Sequence, residues 1–218
     1  MNTGVLKLIA APSGEPVTRQ EAKDFAQITI SADDTLVDGL ITAARRKVEV
    51  ITARALITQT WEVYFDSFPD GDYWSLSRPL GVRPFHREWL PTPSREAIRI
   101  PLPPLLSVGF VKYTDPAGVL QTLASNAYNV DVITEPARIT PVYGTLWPLT
   151  RADANAMFVR FDAGYGNAAA VPEDIKTAIK MIIRTIYDNR ANFVVGQTAV
   201  PIPSDADSLL QTYRVSMV

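Results

Sequence analysis

Two stretches of this chain carry apolar residues at the spacing of an amphipathic helix, and they lie far apart in the sequence. The first follows Ser31–Asp34 and continues to about Ala53, and the second spans residues 171–190. In both stretches apolar residues recur three and four positions apart, which places them on one face of a helix. The residues that we expect to form the helix core are Leu40, Ile41, Ala44, Val48, Ile175, Ile179, Ile182 and Ile186.

The charged residues of these two stretches fall off the apolar stripes and indicate the sides of the helices that face solvent. They are Arg45, Arg46, Lys47 and Glu49 in the first stretch and Lys176, Lys180 and Arg184 in the second. Full burial of one large aliphatic side chain contributes about 1.5–3 kcal/mol, so a stripe of isoleucines needs a partner. We therefore expect the two helices to pack against each other.

Local signals mark the positions where helices begin. Thr18 and Glu21 have the spacing of a capping box, which predicts a short helix over about Arg19–Gln27. Pro172 suits the first position of the second long helix, because proline has no N–H group to leave unbonded there. Ser204–Asp207 again has cap spacing and predicts a short helix near the C-terminus.

The chain between the two long helices has the pattern of short β-strands. Four segments with alternating, β-branched or aromatic residues predict strands, and they are Thr58–Phe65, Val108–Thr114, Ala127–Val132 and Met157–Ala163. The turn sequence Asp115-Pro116-Ala117-Gly118 predicts a hairpin between the second of these strands and Val119–Leu123. We expect a small antiparallel sheet or barrel.

These elements together predict an α+β fold in which one domain is inserted into another. Residues 1–56 and 170–218 would form a helical domain, and residues 57–169 would form the inserted β subdomain. Within the insertion, a stretch at about residues 69–104 holds eight of the 17 prolines of the chain. Because proline at this density disfavours helices and central strands, we expect a long loop there.

Two apolar segments lie outside the predicted helices and strands. They are Val5–Ala10 near the N-terminus and Ala191–Pro203 after the second long helix. We expect neither segment to be buried on a compact monomer, which favours an exchange of these arms between subunits.

The composition excludes several classes of protein. The chain has 218 residues, of which 47% are hydrophobic and 20% charged, and its net charge of −2 argues against a protein that wraps nucleic acid. It contains no cysteine, which excludes disulfides and thiolate metal sites, and a single histidine. No run of apolar residues is long enough to span a membrane. We therefore expect a protein made in the cytoplasm, with no membrane partner.

The motifs that could carry chemistry are weak in this sequence. Gly164–Ala169 matches the glycine spacing of a dinucleotide-binding turn, but the helix after Pro172 begins too late to meet a pyrophosphate. Asp66, Asp70 and Asp72 lack the ordered ligand set of a calcium loop. His86 has no second histidine to share a metal. We expect no cofactor, no metal and no enzymatic activity.

The loop at 69–104 is the strongest candidate for a binding surface inside the insertion. It combines arginine with tryptophan, a pairing that suits a protein interface and also a nucleic-acid surface. Together with the C-terminal segments it supplies the candidate partner contacts, which are Arg83, Arg87, Trp89, Arg95, Arg190, Phe193, Val194, Val195, Ile202, Leu209 and Tyr213. An alternative function is a binding module that recognises a glycan or a nucleic acid through this loop.

Three segments of the chain resemble a known family. They are LKLIAAPSGEPVTRQEAKDFAQI followed by DDTLVDGLITAARRKVEVITARALITQTWEV, then IRIPLPPLLSV with VKYTDPAGVLQTL, and finally VRFDAGYGNAAAVPEDIKTAIKMIIRTIYDNR. In order and content they resemble the head–tail connector (adaptor) proteins of tailed bacteriophages, of the gp6-like and phiE125 gp8-like group. Similar proteins occur in gene-transfer agents. Residues 70–96 depart from the family pattern, because they form a longer and more arginine-rich segment.

This resemblance implies a structural protein of the virion, located at the head–tail interface. Family members dock beneath the portal protein as a homo-oligomeric ring, here expected to hold twelve copies, and meet a stopper or tail terminator protein on the tail side. The helical domain is expected to form the ring and the C-terminal arm to reach the portal. Double-stranded DNA would pass through the lumen without sequence-specific binding.

Overall fold

The computed structural model describes residues 4–69, 96–189 and 203–215. These residues form helices and antiparallel sheets, which confirms the predicted α+β class. The chain divides into two compact units. The β unit comprises the described residues of Met1–Ala11, Thr60–Pro101 and Leu105–Asp162, and the helical unit those of Pro12–Gln59, Leu102–Pro104 and Ala163–Val218. This division assigns the N-terminal arm to the β unit, whereas the sequence suggested the helical domain.

The described part of the helical unit contains four α-helices. Their bounds are α1 Arg19–Ala26, α2 Asp34–Thr52, α3 Glu173–Asp188 and α4 Ser204–Gln211. Two short 3₁₀ turns, Ser31–Asp33 and Ala168–Ala170, precede α2 and α3.

The capping box predicted for α1 is confirmed. The Thr18 hydroxyl accepts a hydrogen bond from the backbone N–H of Glu21, and the Glu21 carboxylate accepts one from the backbone N–H of Thr18. Two other caps differ from the prediction. Pro172 is the N-cap of α3 rather than its first helical residue, and Pro203 precedes α4, so Ser204 lies inside the helix. Pro172 has a ψ of 140° and Pro203 a ψ of 134°, outside the helical region, so each helix begins at the residue that follows its proline.

Apolar side chains from all four helices share one core. α2 packs against α3 although residues 53–172 separate them in the sequence, and α4 packs against both. Ile175, Ile179, Ile182 and Ile183 of α3 are fully buried in this cluster, and Leu210 brings α4 into it. The core of the unit is therefore built from the two ends of the described chain.

Two charged residues placed on the solvent side by the sequence pattern are buried, which corrects that prediction. Arg45 is only 5% exposed, because its guanidinium is held between the carboxylates of Glu15 and Glu49 at 2.7 Å each. Lys176 is buried as well, with its Nζ atom 2.8 Å from the Glu173 carboxylate. In both cases a carboxylate partner and the aliphatic part of the side chain offset the cost of desolvation.

The described part of the β unit contains two open antiparallel sheets, which settles the choice between an open and a closed arrangement. The five-stranded sheet has the order β1-β2-β8-β4-β5, and the three-stranded sheet has the order β3-β7-β6. The strands are β1 Val5–Ala10, β2 Gln59–Phe65, β3 Ile98–Ile100, β4 Leu105–Thr114, β5 Leu120–Leu123, β6 Tyr128–Asp131, β7 Ala137–Pro141 and β8 Met157–Ala163.

Three strands were not expected from the sequence. β1 is the apolar N-terminal arm, which pairs antiparallel with β2 and places Leu6 opposite Val63. β3 lies inside the stretch at 69–104 that was expected to be a loop, and β7 pairs with both β3 and β6. The residues of the predicted loop from 70 to 95 lie outside the described ranges.

The central strand β8 buries one of its two faces. Along β8 the side chains alternate strictly, with Met157, Val159 and Phe161 fully buried and the residues between them partly exposed. Phe68 stacks on Trp147 with ring centroids 4.9 Å apart, and the Trp147 indole N–H donates a hydrogen bond to the Glu96 carbonyl.

The glycine motif after β8 has a structural role, as expected for a strand-to-helix turn. Gly164 has a φ of +128°, and a Cβ atom there would lie 2.6 Å from the Ile57 carbonyl oxygen. The backbone N–H of Thr58 donates to the Gly166 carbonyl, and that of Tyr165 to the Leu56 carbonyl. Glycine is required because two backbone segments approach each other at this point.

We expect the substitution Gly164→Ala to lower the free energy of unfolding by at least about 2 kcal/mol, because it adds strain at a positive φ and a clash with backbone atoms. Gly39→Ala is the matched control. A Cβ at Gly39 has no atom within 4 Å, and alanine in a helix interior is more stable than glycine by about 0.5–1 kcal/mol. Denaturant unfolding of both variants measures the difference, and an unaffected G164A protein would contradict the tight approach.

A charge placed in the helical core should have a large effect. Ile182→Asp puts a carboxylate at a fully buried position of α3, and we expect a loss of several kcal/mol, on the order of 3–5. Thermal and denaturant unfolding measure the loss. Val50→Asp, at a position of α2 that is 82% exposed, is the control and should unfold almost like the wild type. Similar stabilities for the two variants would mean that the buried face has been assigned wrongly.

Candidate functional site

The residues that we predicted to form the helix core lie together in the helical unit. Ile41, Ala44, Val48, Ile175, Ile179 and Ile182 are buried in its core. Leu40 and Ile186 are partly buried and pack against the edge of the same cluster. Packing within the chain therefore occupies these side chains.

Leu209 and Tyr213 are the two predicted partner contacts that the structure describes. Both are partly buried against the helical core of their own chain. The Tyr213 hydroxyl donates a hydrogen bond to Asp174, and the Tyr213 carbonyl accepts one from the Arg54 guanidinium. The remaining candidates lie outside the described residues, and so do residues 70–95 of the loop on which the alternative glycan or nucleic-acid module depends. They are Arg83, Arg87, Trp89, Arg95, Arg190, Phe193, Val194, Val195 and Ile202.

The residues considered for metal chemistry do not form a site in the described part of the chain. The Asp66 carboxylate accepts a hydrogen bond from the backbone N–H of Asn155. Asp70, Asp72 and His86 lie outside the described ranges. Within those ranges no group of three or more His, Asp or Glu residues could hold a metal ion. In the same ranges no helix combines the length and the apolar character needed to cross a bilayer.

Exposed apolar side chains concentrate in the β unit. Among the described residues sixteen large apolar side chains are exposed, of which three lie in the helical unit and thirteen in the β unit. The thirteen are Val5, Leu6, Leu8, Ile9, Leu106, Val119, Leu120, Val130, Val132, Ile133, Tyr143, Leu146 and Leu149. Several of them are neighbours in the chain, as in Val5–Ala10. Because exposed apolar surface of this kind marks interaction sites, the β unit is the candidate for contacts with partners.

The second face of the five-stranded sheet is lined by aromatic rings and cations. Phe158 of β8 stacks on Tyr64 of β2 at 5.1 Å and meets the edge of Phe110 of β4 at 5.9 Å. The Lys112 Nζ and Arg160 Cζ atoms lie 4.6 and 4.7 Å from the Phe110 ring centroid. All five side chains are partly exposed. We call this surface the aromatic face.

An ion pair with Glu62 holds the Arg160 guanidinium in place on the aromatic face. The Arg160 guanidinium donates two hydrogen bonds to Oε1 of Glu62, at 3.0 and 2.6 Å, and the Tyr64 hydroxyl donates one to Oε2. Burial alone would raise the pKa of the Glu62 carboxyl, but these hydrogen bonds outweigh it and hold the pKa below its usual range. The hydrogen bond to Glu62 and burial raise the pKa of the Tyr64 hydroxyl. The face therefore keeps one charge arrangement near neutral pH.

The turn between β6 and β7 presents an aliphatic side chain to solvent. Ile133 is 94% exposed, and its neighbour Val132 is exposed as well. Asp131 organises this turn, because its carboxylate accepts hydrogen bonds from the backbone N–H groups of Ile133 and Thr134 and from the Thr134 hydroxyl. The Arg138 guanidinium donates two more to the same carboxylate. We call residues 131–136 the hairpin tip.

The N-terminal strand β1 is exposed on both sides. All six of its residues are exposed, although β2 satisfies one edge of its backbone. It forms the edge of the described five-stranded sheet. The arm for which we expected exchange between subunits is thus paired with β2 of its own chain along one backbone edge, while its side chains are exposed.

The aromatic face and the hairpin tip were not selected from the sequence. The alternation Met-Phe-Val-Arg-Phe-Asp-Ala in β8 carries a signal for the face, because it puts Phe158 and Arg160 on the side away from the core. That signal gains meaning only once β2 and β4 are known to flank β8. The tip had a weaker signal, an aspartate followed by two aliphatic residues in a turn.

Comparison with known proteins gives likenesses of fold. No protein-family model matches the chain, and no curated protein matches it. Among solved structures, a chain in the neck of an empty gene transfer agent particle, determined with C6 symmetry, has a TM-score of 0.68 and 20% identity over 98% of this chain and 97% of its own.

Two further structures give similar values over the same shares of both chains. A chain in the virion of a native gene transfer agent particle has a TM-score of 0.68 and 18% identity. A chain in the neck of a native particle, determined with C12 symmetry, has a TM-score of 0.64 and 20% identity. At these identities the likeness shows a shared fold along nearly the whole chain.

The negative charge of the Asp131 carboxylate should persist in acid. The hydrogen bonds from Arg138 and Thr134 hold the pKa of the Asp131 carboxyl far below its usual range. Because the pKa is lower in the folded state, the carboxylate stabilises the turn above the unfolded pKa of about 3.9, and this contribution is lost only as the pH falls through the folded pKa. Carboxyl-detected NMR should find Asp131 still ionised at about pH 3.

The variant Arg138→Gln tests the cause of this shift. It removes the first of the groups that lower the pKa, so the Asp131 titration should move upward toward the usual aspartate value. An unchanged titration in this variant would show that Arg138 does not hold the carboxylate.

Proposed function

We propose that this chain is a structural adaptor in the neck of a tailed phage or phage-like particle, where it joins the head to the tail. One observation carries the proposal. The chain shares its fold, over 98% of its length, with chains from the necks of gene transfer agent particles. The order of the sequence segments that resemble head–tail connector proteins supports the same function.

The finer features of this function are a ring of twelve copies beneath the portal protein and a contact with a stopper or tail terminator protein on the tail side. One of the similar necks has C12 symmetry and another has C6 symmetry. A closed ring of either kind needs a heterologous interface, in which two different patches of each subunit meet. The exposed apolar patches of the β unit provide such surfaces.

In this assembly the chain would act without catalysis and would line the passage of double-stranded DNA. A net charge of −2 suits a channel through which DNA slides, because clustered cations would bind the phosphates and retain it. The helical unit would form the ring, as the resemblance implies, and the exposed apolar side chains of the β unit would supply further contacts between copies.

The proposal is tested by deletion of the gene in the strain that produces the particle. We expect heads filled with DNA that carry no tails, and full-length protein added to these heads should restore tail joining. Electron microscopy of the restored particles should show a ring of cyclic symmetry at the neck. Tailed particles from the deletion strain, or purified particles that lack the chain, would overturn the proposal.

A further inference from the structure

Two patches of the β unit differ in chemical character in a complementary way. The aromatic face presents two stacked rings, Tyr64 and Phe158, and a third ring, Phe110, that meets Phe158 edge-on, with Lys112 and Arg160 beside Phe110. Aromatic rings and arginine are the residues that dominate the energy of protein interfaces. A surface of this kind suits an aliphatic side chain that is accompanied by a carboxylate.

The hairpin tip has these properties. Ile133 and Val132 project an aliphatic surface, and Glu135 places a carboxylate two residues after Ile133 in the same turn. The hydrogen bonds of Asp131 hold the turn in one conformation before any partner binds. Because a preorganised loop loses little conformational entropy on association, more of the gain from burial remains as affinity.

We propose that the hairpin tip of one copy of this chain docks on the aromatic face of the next copy. Ile133 packs on the Phe110 and Phe158 rings, and the Glu135 carboxylate lies beside Lys112. The inference rests on the proposed ring, because the two patches belong to different sheets and their contact is heterologous. Contacts of this kind propagate from copy to copy until the ring closes.

The contact forms the centre of a larger interface. A stable interface buries about 800 Å² on each partner, which two aliphatic side chains cannot supply alone. A few anchoring residues at the centre of an interface carry most of its energy, and surrounding contacts exclude water. Ile133 is the anchor in this arrangement, and the aromatic face is the surface on which it packs.

The experiment uses the absence of cysteine from the chain. Val132→Cys is introduced in one full-length protein and Thr122→Cys in another. Thr122 of β5 is exposed and lies directly opposite Lys112 in the sheet, so T122C removes no residue of the proposed contact. V132C replaces the smaller contribution of Val132 and leaves the anchor Ile133 in place. The two proteins are mixed under conditions of assembly and treated with a short bismaleimide. We expect a product that joins V132C of one copy to T122C of another, identified by mass spectrometry.

Two controls make the product specific. Tyr143→Cys replaces T122C in the same mixture, at a position as exposed as Ile133, and should give no product with V132C. In the V132C protein, the additional substitution Ile133→Asp should lower the yield about tenfold, because it removes an anchoring residue. The matched substitution Tyr143→Asp should leave the yield unchanged. An I133D protein that couples as efficiently as Y143D would overturn the role of Ile133.

Electron microscopy of the same mixtures separates this inference from the proposed function. Closed rings without the V132C–T122C product overturn the docking contact and leave the ring intact. The product in chains that never close supports the contact and counts against the ring, and neither product nor ring overturns both. One further outcome would overturn the proposal. If double-stranded DNA or another neck protein protects T122C from the maleimide, in rings that give no product, the aromatic face belongs to that partner.

Discussion

The packing of α3 against α2 is the interaction on which the rest of the chain depends. Four fully buried isoleucines of α3 meet the buried stripe of α2, and residues 53–172 must leave this core and return to it. Two backbone hydrogen bonds join the beginning and the end of this intervening segment. The N–H of Tyr165 donates to the Leu56 carbonyl, and the N–H of Thr58 donates to the Gly166 carbonyl. Gly164 lies at this closure, and its missing side chain lets the two segments approach.

Features fixed by local sequence were predictable. The helices have a strong apolar period, the α1 cap depends on residues three apart, and β8 was predicted with its observed bounds. Features that depend on distant partners were missed. β3 has only three residues and lies in the proline-rich stretch, and β7 follows Pro136 and ends at Pro141, a pattern that disfavours a strand. β1 became a strand because β2 offers it a free edge. Arg45 has the pattern of a surface residue, and its burial depends on Glu15, thirty positions earlier.

The same contrast between local sequence and distant partners decides which candidate surfaces were predictable. The helix core could be selected from the sequence because its residues belong to two continuous stripes. The aromatic face could not, since Tyr64, Phe110 and Phe158 come from three strands and share a face only through the strand order of the sheet. A surface assembled from several strands leaves no pattern in any single stretch of sequence. The arginine-rich loop could be selected as a candidate because its unusual composition lies in one continuous segment.

The N-terminal strand β1 shows that pairing of its backbone and burial of its side chains are two separate requirements, which the sequence pattern does not distinguish. An apolar arm needs partners for its backbone groups and cover for its side chains, and the sequence suggested that another subunit supplies both. In the structure β2 pairs with the backbone of β1, while the β1 side chains remain exposed. A partner therefore gains about 25 cal/mol for each Å² of apolar surface that it covers, without having to organise a strand of its own. Contacts of this kind can form between folded subunits, which suits assembly in which each copy folds before it joins its neighbours.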